Sequence, residues 1–332
     1  MRFRHALFLI VAALIAACAP RIQDPGPRAE MPMPPALTES HFIAPDGTRL
    51  PLRRWLPATS PHTVIVALHG FNDYSNAFAE IGPRLAENGI AALAYDQRGF
   101  GASDQAGVWA GGGRLRADAR AAIQAARDAY PGARVYALGE SMGGAVLMSA
   151  WVEEPLDADG LILVAPAVWG RATMPAYQTM SLWLFAHTLP WMLLTGQGIK
   201  RNPSDNIEML RALGRDPLVI KNTRVDAVWG IVNLMDDALD SATGFDAPAL
   251  LLYGANDDIV PPEASRRMLK SLPPVSDKQR RVAVYDNGYH MLLRDLQGDV
   301  VLNDILSWIA DPAGALPSGA DRSNPESRFV EN

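Results

Sequence analysis

Short apolar runs alternate with longer amphipathic segments over most of the sequence, from about residue 41 to about residue 310. The apolar runs fit strands covered on both faces of a sheet, and they lie at residues 63–68, 90–95, 135–138, 160–164, 249–253 and 282–285. Segments with helical spacing lie between them, at residues 78–88, 114–130, 265–272 and 299–310. A hairpin over residues 41–55, turning at Asp46-Gly47, opens the series. This alternation predicts an α/β domain with a mainly parallel sheet and helices on both faces.

One stretch, at about residues 167–240, breaks the alternation. It has no clear strand, its apolar residues have helical spacing, and it contains Trp169, Trp183 and Trp191. The pattern predicts a helical insertion after the strand at residues 160–164. Two interpretations of its aromatic side chains stay open: they pack the core of the insertion, or they form an apolar surface for an acyl chain or a membrane.

The first residues predict a processed leader. A basic start is followed by an apolar stretch, Ala6 to Ala17, which is shorter than the roughly 20 residues that span a bilayer as a helix. Small residues then precede Cys18, which resembles a lipidation site after a lipoprotein signal peptide of residues 1–17. We therefore expect a protein that is lipid-anchored in a bacterial cell envelope, at the outer membrane in a Gram-negative cell. An ordinary signal peptide or an uncleaved anchor is the alternative.

The amino-acid composition indicates where the folded domain begins and ends. Residues 18–40 are rich in proline and predict a tether, and residues 311–332 predict a disordered tail, which leaves residues 41–310 for the folded domain. With 332 residues and 48% apolar composition, the chain can bury a large core. Its net charge of −6 is spread without a basic patch, so no nucleic-acid partner is expected. The single cysteine excludes an internal disulfide.

The segment Gly139-Glu140-Ser141-Met142-Gly143 carries the candidate chemistry. It follows a predicted strand and precedes a small-residue segment, and it matches the G-x-S-x-G nucleophile elbow of the α/β-hydrolases. Glycine two positions on either side of the serine avoids collisions with neighbouring backbone in a sharp strand-to-helix turn. The motif predicts Ser141 as a nucleophile; an ordinary glycine-rich turn is the alternative.

A base and an acid complete the prediction. Of the six histidines, only His290 lies in a loop after a late strand, which fits the order serine, acid, histidine of this fold. Two aspartates follow the strand at residues 249–253, and the G-x-x-D spacing after Gly254 favours Asp257 over Asp258. The expected oxyanion donors are the N–H groups of Phe71 and Met142. His69 is expected to brace the loop that carries Phe71.

Taken together, the motifs resemble the monoacylglycerol lipase and lysophospholipase group of the α/β-hydrolases, which are serine aminopeptidase-like hydrolases. The resemblance covers about residues 41–310 and rests on the segments His69-Gly70-Phe71, Tyr95-Asp96-Gln97-Arg98-Gly99, Gly139 to Gly144, Gly254 to Asp257, and His290. It implies a cap over the site at about residues 167–240, a structural loop braced by Asp96 and Arg98, and no cofactor or metal. The sequence departs from the group at Glu140, where histidine is common, at Phe71 and Asn72, and at Met291.

The leading hypothesis is a serine esterase that cleaves monoacylglycerol or lysophospholipid through an acyl-enzyme on Ser141. The expected partners are a lipid or small ester substrate and, through the anchor, a membrane. A peptidase is one alternative, with Glu208, Asp236 and Asp237 as candidate partners for a free amine. A carbon–carbon bond hydrolase and a non-catalytic envelope lipoprotein are the others.

Overall fold

The computed structural model describes residues 19–196, 201–275 and 280–322. The strands are β1 Ala36–Leu37, β2 His41–Ile43, β3 Arg49–Trp55, β4 Thr63–Leu68, β5 Ile90–Tyr95, β6 Arg134–Glu140, β7 Gly160–Val164, β8 Leu193–Thr195, β9 Asn222–Arg224, β10 Ala249–Gly254 and β11 Arg280–Tyr285. The helices are α1 Ile81–Glu87, α2 Gly112–Ala129, α3 Met142–Glu153, α4 Ala176–Thr188, α5 Ile207–Arg215, α6 Val225–Ser241, α7 Pro262–Ser271 and α8 Gly298–Ala310. The predicted order of strands and helices in the body is confirmed.

One sheet organises the described residues, with strand order β1-β2-β3-β5-β4-β6-β7-β10-β11. The first strands pair antiparallel up to β5, and all pairs from β5 to β11 are parallel. Every residue of β4, β5, β7 and β10 is buried, as continuous apolar runs require. Because the parallel strands share one direction, the loops that follow β4, β6, β10 and β11 meet at one edge.

Helices cover both faces of this sheet, as predicted. On one face Leu115 of α2, Leu147 of α3 and Val232 of α6 belong to one buried cluster. On the other face Leu85 of α1 and Trp308 of α8 belong to a second cluster. The sheet therefore lies between two helical layers, which is the α/β architecture that the sequence predicts.

The insertion is helical with one addition. Helices α4, α5 and α6 lie in residues 176–241, but β8 and β9 pair antiparallel through Leu193 and Arg224. The prediction of an insertion without strands is wrong at these two places. Each strand has three residues, which is too short for an alternating pattern to stand out. No residue of α5 is buried and only Ala186 of α4 is, whereas α6 packs on α3 of the body.

Both ends pack more closely on the body than predicted. The N–H of Gln23 donates to the Trp109 carbonyl over 2.9 Å, and Ala36–Leu37 forms β1, so residues 19–40 are not simply a tether. At the other end Leu316 is buried and the N–H of Ser318 donates to Asp304 over 3.0 Å. The prediction of disorder is therefore wrong for residues 311–322. Gln23 bonds to Trp109, which is distant in the sequence, whereas β1 pairs with the nearby β2 and Ser318 bonds to Asp304 of α8. The composition of the two end segments does not indicate these contacts.

The predicted leader, Cys18 and the last residues, 323–332, lie outside the described residues. In the ranges that the structure does describe, no helix has both the length and the apolar character needed to cross a membrane.

Candidate active site

Ser141 lies in the turn between β6 and α3, in a left-handed backbone conformation with φ 52° and ψ −110°. A Cβ atom at Gly139 would lie 2.4 Å from the Gly143 carbonyl carbon, and one at Gly143 would lie 2.2 Å from the Leu68 oxygen. Only glycine fits at either position without a shift of backbone. The close packing therefore holds the serine in a strained turn that lifts its side chain off the sheet edge.

The structure brings Ser141, His290 and Asp257 together. His290 Nε2 lies 2.9 Å from Ser141 Oγ, and His290 Nδ1 lies 2.8 Å from Asp257 Oδ2. The other carboxylate oxygen of Asp257 accepts the N–H groups of Ile259 and Val260, which fixes the orientation of the acid. This order matches a nucleophile, a base and an acid that orients the base.

Asp258, the competing aspartate, has a different environment. Its Oδ2 accepts the N–H of Asn202 over 3.1 Å, in the insertion, and no hydrogen bond joins it to His290 within the described residues. The structure therefore places Asp257 against the histidine, as the sequence spacing favours.

The environment of His290 raises its pKa above the usual 6.5. Burial by itself lowers the pKa, but the charge and hydrogen bond of Asp257 outweigh it, with a smaller contribution from Glu140. Arg294 acts in the opposite direction. These effects stabilise the protonated ring, as a base that must hold a proton during a reaction requires.

The two expected oxyanion donors flank the serine. Met142 is the first residue of α3, and a Cβ atom at Gly70 would lie 3.4 Å from Ser141 Cβ, which places the Gly70-Phe71 segment beside the serine. Within the described residues, neither the Phe71 nor the Met142 N–H donates a hydrogen bond to another backbone group. This absence of a backbone acceptor, within the described residues, is compatible with the predicted role of both N–H groups as oxyanion donors.

The loop that carries Phe71 also contacts the insertion. The side-chain amide of Asn72 donates to Thr223 Oγ1 over 2.7 Å, and the N–H of Ile220 donates to the Asn72 carbonyl over 2.9 Å. Asn72 has a positive φ of 66°, a conformation that asparagine tolerates better than most residues. These bonds tie the loop of residues 70–73 to the insertion.

His69 is structural, as expected. Its buried ring lies 2.8 Å from the Gly70 carbonyl through Nδ1, and its Nε2 accepts the N–H of Gln97 over 2.9 Å. Burial lowers the pKa of His69, which favours the neutral ring that this pattern of one donor and one acceptor requires. The histidine thus braces the loop through these two contacts.

The segment after β5 is also structural. Arg98 forms a paired hydrogen bond with Asp118 of α2, at 2.6 and 2.8 Å, and a second with Asp46 of the opening hairpin. Asp96 accepts the N–H groups of Ser75 and Ala102. The expected bracing by Asp96 and Arg98 is confirmed.

A cavity of about 300 Å³ opens at Ser141 and His290. Its lining includes the apolar side chains of Leu213, Val219 and Ile259 and the charged side chains of Asp73, Glu140 and Arg294. The cavity at Ser141 therefore has both apolar and charged lining residues.

Trp183 and Trp191 of the insertion lie away from this cavity. Trp183 and Trp191 are 55% and 52% exposed, and Trp183 lines a separate outer groove of about 700 Å³ with Tyr177, Met180 and Trp229. Trp169 packs against the buried core, as the first interpretation expects, whereas Trp183 and Trp191 are exposed and do not line the cavity at Ser141. They form an exposed apolar surface.

Arg294 was not predicted from the sequence. Its Nη1 lies 2.7 Å from Asp73 Oδ2 and its Nη2 lies 3.2 Å from Glu140 Oε2. The departure at Glu140 is the one signal that could have indicated it, because a buried carboxylate beside the nucleophile needs a cationic partner. In the described part of the chain, no cluster of three or more His, Cys, Asp or Glu side chains is arranged to hold a metal ion.

A mainly parallel sheet with an elbow serine at its carboxyl edge makes the protein an α/β-hydrolase. The profile of the family described as serine aminopeptidase, S33, matches residues 59–297, and the chain belongs to that family.

Curated relatives and solved structures agree with this fold. The chain is 25% identical to the monoacylglycerol lipase of Mycolicibacterium smegmatis over 284 residues, which are 82% of this chain and 96% of that protein. It is 26% identical to the monoglyceride lipase of Homo sapiens, over 81% of this chain and 89% of that protein. The structure of a soluble variant of Saccharomyces cerevisiae monoglyceride lipase, in complex with a substrate analog, has a TM-score of 0.68 at 20% identity, covering 86% of this chain and 98% of that one. Paleococcus ferrophilus monoacylglycerol lipase has a TM-score of 0.63 at 22% identity, covering 78% and 98%.

Proposed function

We propose that the protein is a serine hydrolase that cleaves carboxylic esters of lipid-like substrates, monoacylglycerol or lysophospholipid, through an acyl-enzyme on Ser141. The observation that carries the proposal is the chain of contacts from Asp257 through His290 to Ser141, at 2.8 and 2.9 Å, at the mouth of a partly apolar cavity. Membership of the S33 family and the names of the relatives support the same chemistry.

The proposed reaction follows from the positions of these groups. Ser141 Oγ attacks the ester carbonyl carbon while His290 Nε2 accepts the hydroxyl proton, and Asp257 stabilises the resulting imidazolium. The carbonyl oxygen becomes an oxyanion between the N–H groups of Phe71 and Met142. The C–O bond to the alcohol then breaks, and His290 returns the proton to the departing alcohol. Water repeats the sequence on the acyl-enzyme and releases the fatty acid and free Ser141.

The cavity supports a substrate with an apolar and a polar part. Leu213, Val219 and Ile259 provide the apolar wall that an acyl chain needs. The charged side chains of Asp73, Glu140 and Arg294 line the same cavity and make that part of its lining polar. A monoacyl lipid has this division into an apolar and a polar part.

The acidic residues considered for a peptidase do not support that alternative. Asp236 pairs with Arg171, Asp237 with Arg116, and Glu208 with Arg211. None of the three acids lines the cavity at Ser141. No specific observation in the described residues favours a peptidase, a carbon–carbon bond hydrolase or a non-catalytic lipoprotein over the esterase.

The proposed setting is the bacterial cell envelope, with the protein anchored through a lipid on Cys18. The start of the described chain supports an anchor close to the insertion, because the N–H of Arg21 lies 3.3 Å from Asp226 Oδ2 at the start of α6. Trp229, on the same helix, lines the outer apolar groove. Incorporation of labelled palmitate into the wild type, and its loss in Cys18→Ser, tests the anchor; equal labelling of both would contradict it.

The function itself is tested with Ser141→Ala. We expect turnover of a monoacylglycerol to fall by about 10³-fold or more, with thermal unfolding nearly unchanged. Ser149→Ala is the matched control, because Ser149 is a buried serine of α3 whose hydroxyl donates to the Ala145 and Val146 carbonyls of its own helix. Turnover that persists in Ser141→Ala would refute the assignment.

A further inference from the structure

We infer that Arg294 is a positioning residue for the hydrolysis. It holds the turn at Ser141 and the loop that carries Phe71 at a fixed separation from each other. The inference rests on the proposed function and adds a residue to it. It starts from a buried ionic cluster, Asp73–Arg294–Glu140, which we call the buried triad. The side chains of its members are exposed by 7%, 7% and 2% for Asp73, Arg294 and Glu140.

The buried triad joins three segments of the site. Asp73 belongs to the loop after β4, Glu140 ends β6 directly before Ser141, and Arg294 lies in the loop that carries His290. The Arg294 guanidinium lies 2.7 Å from Asp73 Oδ2 and 3.2 Å from Glu140 Oε2. The backbone N–H of Arg294 donates to the Met291 carbonyl over 2.8 Å. One guanidinium group therefore contacts the two segments that carry the oxyanion donors.

Asp73 passes this contact on to the donor at Phe71. Its Oδ1 accepts the N–H of Tyr74 over 2.8 Å, and its own N–H donates to the Gly70 carbonyl over 3.3 Å. The backbone N–H of Asp73 thus closes the turn in which Phe71 lies, and the carboxylate of the same residue contacts Arg294. On the other side Glu140 is the neighbour of Ser141, and Met142 follows immediately. Movement of Arg294 would change the distance between the two N–H groups, and oxyanion stabilisation depends on that distance.

The charges of the buried triad depend on one another. Burial raises the pKa of Glu140, and Arg294 opposes this effect by favouring the carboxylate. Burial lowers the pKa of Arg294, but Glu140 and Asp73 outweigh it and raise that pKa. The glutamate before the nucleophile and the arginine after the histidine are therefore a matched pair, in which each makes the other's charge tolerable in the interior.

The buried triad also acts on the base. His290 is faced by Asp257, Glu140 and Arg294, and more weakly by Asp295. Glu140 raises the pKa of His290 and Arg294 lowers it. Neutralising Glu140 should therefore lower the pKa of the base, an effect that a merely structural contact would not produce.

Arg294→Met tests the positioning role. We expect kcat for a short-chain nitrophenyl ester to fall about 10- to 100-fold with KM changed less than about threefold, because the oxyanion donors act on the transition state. Arg294→Lys keeps the charge but loses the two-pronged donor, and it should recover part of the loss. A folded Arg294→Met with kcat within about twofold of the wild type would overturn the inference.

A triple variant tests the same inference if Arg294→Met fails to fold. Asp73→Asn combined with Glu140→Gln and Arg294→Met removes all three charges with little change in shape, so no buried charge is left without a partner. We expect this variant to fold and to keep a low kcat, because the link between the two segments is lost. Recovery of wild-type kcat would show that the cluster only balances charge, which would overturn the inference.

Glu140→Gln provides a readout in pH. It should shift the acidic limb of kcat/KM to lower pH, since the charge that raises the pKa of His290 is gone. An unshifted limb would contradict the electrostatic part of the inference. Arg281→Met is the matched control, because Arg281 forms an ion pair with Asp321 and does not line the cavity at Ser141; its kcat should equal that of the wild type.

These experiments separate the inference from the proposed function. Ester turnover by the wild type reports on the proposed function, and the ratio of each variant to the wild type reports on Arg294. If the wild type hydrolyses none of the esters, the proposed function fails. The same variants are then compared by the rate at which a fluorophosphonate labels Ser141, because that reaction uses the same serine, base and oxyanion donors.

Discussion

Single side chains set the geometry of the site, and glycines set the position of the serine. A Cβ atom at Gly139 would lie 2.4 Å from the Gly143 carbonyl carbon, so Gly139→Ala forces backbone to move. We expect Gly139→Ala to lower the free energy of unfolding by about 2 kcal/mol or more and to abolish phosphonate labelling of Ser141. Thermal unfolding and labelling measure both effects.

Gly113→Ala is the control for that substitution. Gly113 lies in α2, and a Cβ atom there would meet nothing within 4 Å. The change should raise the free energy of unfolding by about 0.5–1 kcal/mol, because alanine loses less conformational entropy in a helix. A Gly139→Ala variant as stable and as reactive as Gly113→Ala would contradict the steric argument.

The base gives a prediction in pH. Because the surroundings of His290 raise its pKa above 6.5, and the neutral ring is the active form, kcat/KM should decline as pH falls through a value above 6.5. Asp257→Asn should move that limb to lower pH and reduce kcat by about 10²- to 10⁴-fold. Asp258→Asn should change neither, and an acidic limb at or below 6.5 in the wild type would contradict the prediction.

The sequence predicts the serine, the base and the acid because each follows a strand end with a recognisable local spacing. Gly139 and Gly143 are local signals, and so are Gly254 and Asp257. Arg294 has no such signal. Its partner Glu140 lies 154 residues away, and only the folded sheet brings them together. A long-range ion pair of this kind depends on the packing of loops, which a single sequence does not encode in any local pattern.

The secondary structure shows the same contrast between elements with a local sequence signal and elements without one. Strands such as Thr63–Leu68 are predicted within a residue or two, because a short continuous apolar run is typical of a strand buried on both faces of a parallel sheet. The short strands β8 and β9 and the packed ends of the chain were missed. Their stability comes from pairing and packing with other segments, such as β8 with β9 and β1 with β2, rather than from their own composition.

Helix α4 carries the exposed apolar side chains Met180 and Trp183, and vesicle binding measures whether they contact lipid. If the surface contacts a bilayer, Met180→Ser with Trp183→Ser should weaken binding to phosphatidylglycerol-containing vesicles about tenfold or more, since both side chains bury apolar area there. Turnover of a soluble short-chain ester should stay unchanged, because neither residue lines the cavity at Ser141.

Val152→Ser is the control for the vesicle experiment. Val152 is exposed on α3 of the body, outside the α4 surface, and should leave vesicle binding as it is. Equal binding by the wild type and the α4 variant would show that this surface does not contact lipid.

The stability of the molecule in acid depends on the link that Arg98 makes between the opening hairpin and α2. Burial raises the pKa of Asp46, but the hydrogen bond and charge of Arg98 outweigh it, so this pKa is lowered to about 2. A depressed pKa adds stability above the unfolded value of 3.8, and that stability is lost as pH falls towards 2. The stability difference between the wild type and Asp46→Asn should therefore be larger at pH 6 than at pH 2. A difference independent of pH, in denaturant titrations, would contradict this.

One labelling experiment tests the identity of both the nucleophile and its substrate. A long-chain alkyl fluorophosphonate is added to the protein of residues 19–332, and the adduct is mapped by mass spectrometry in the presence of competing monoacylglycerol or an aminoacyl amide. We predict a single adduct on Ser141, formed more slowly with monoacylglycerol and at an unchanged rate with the amide. An adduct on another residue, no adduct, or protection by the amide alone would contradict a lipid esterase built on Ser141.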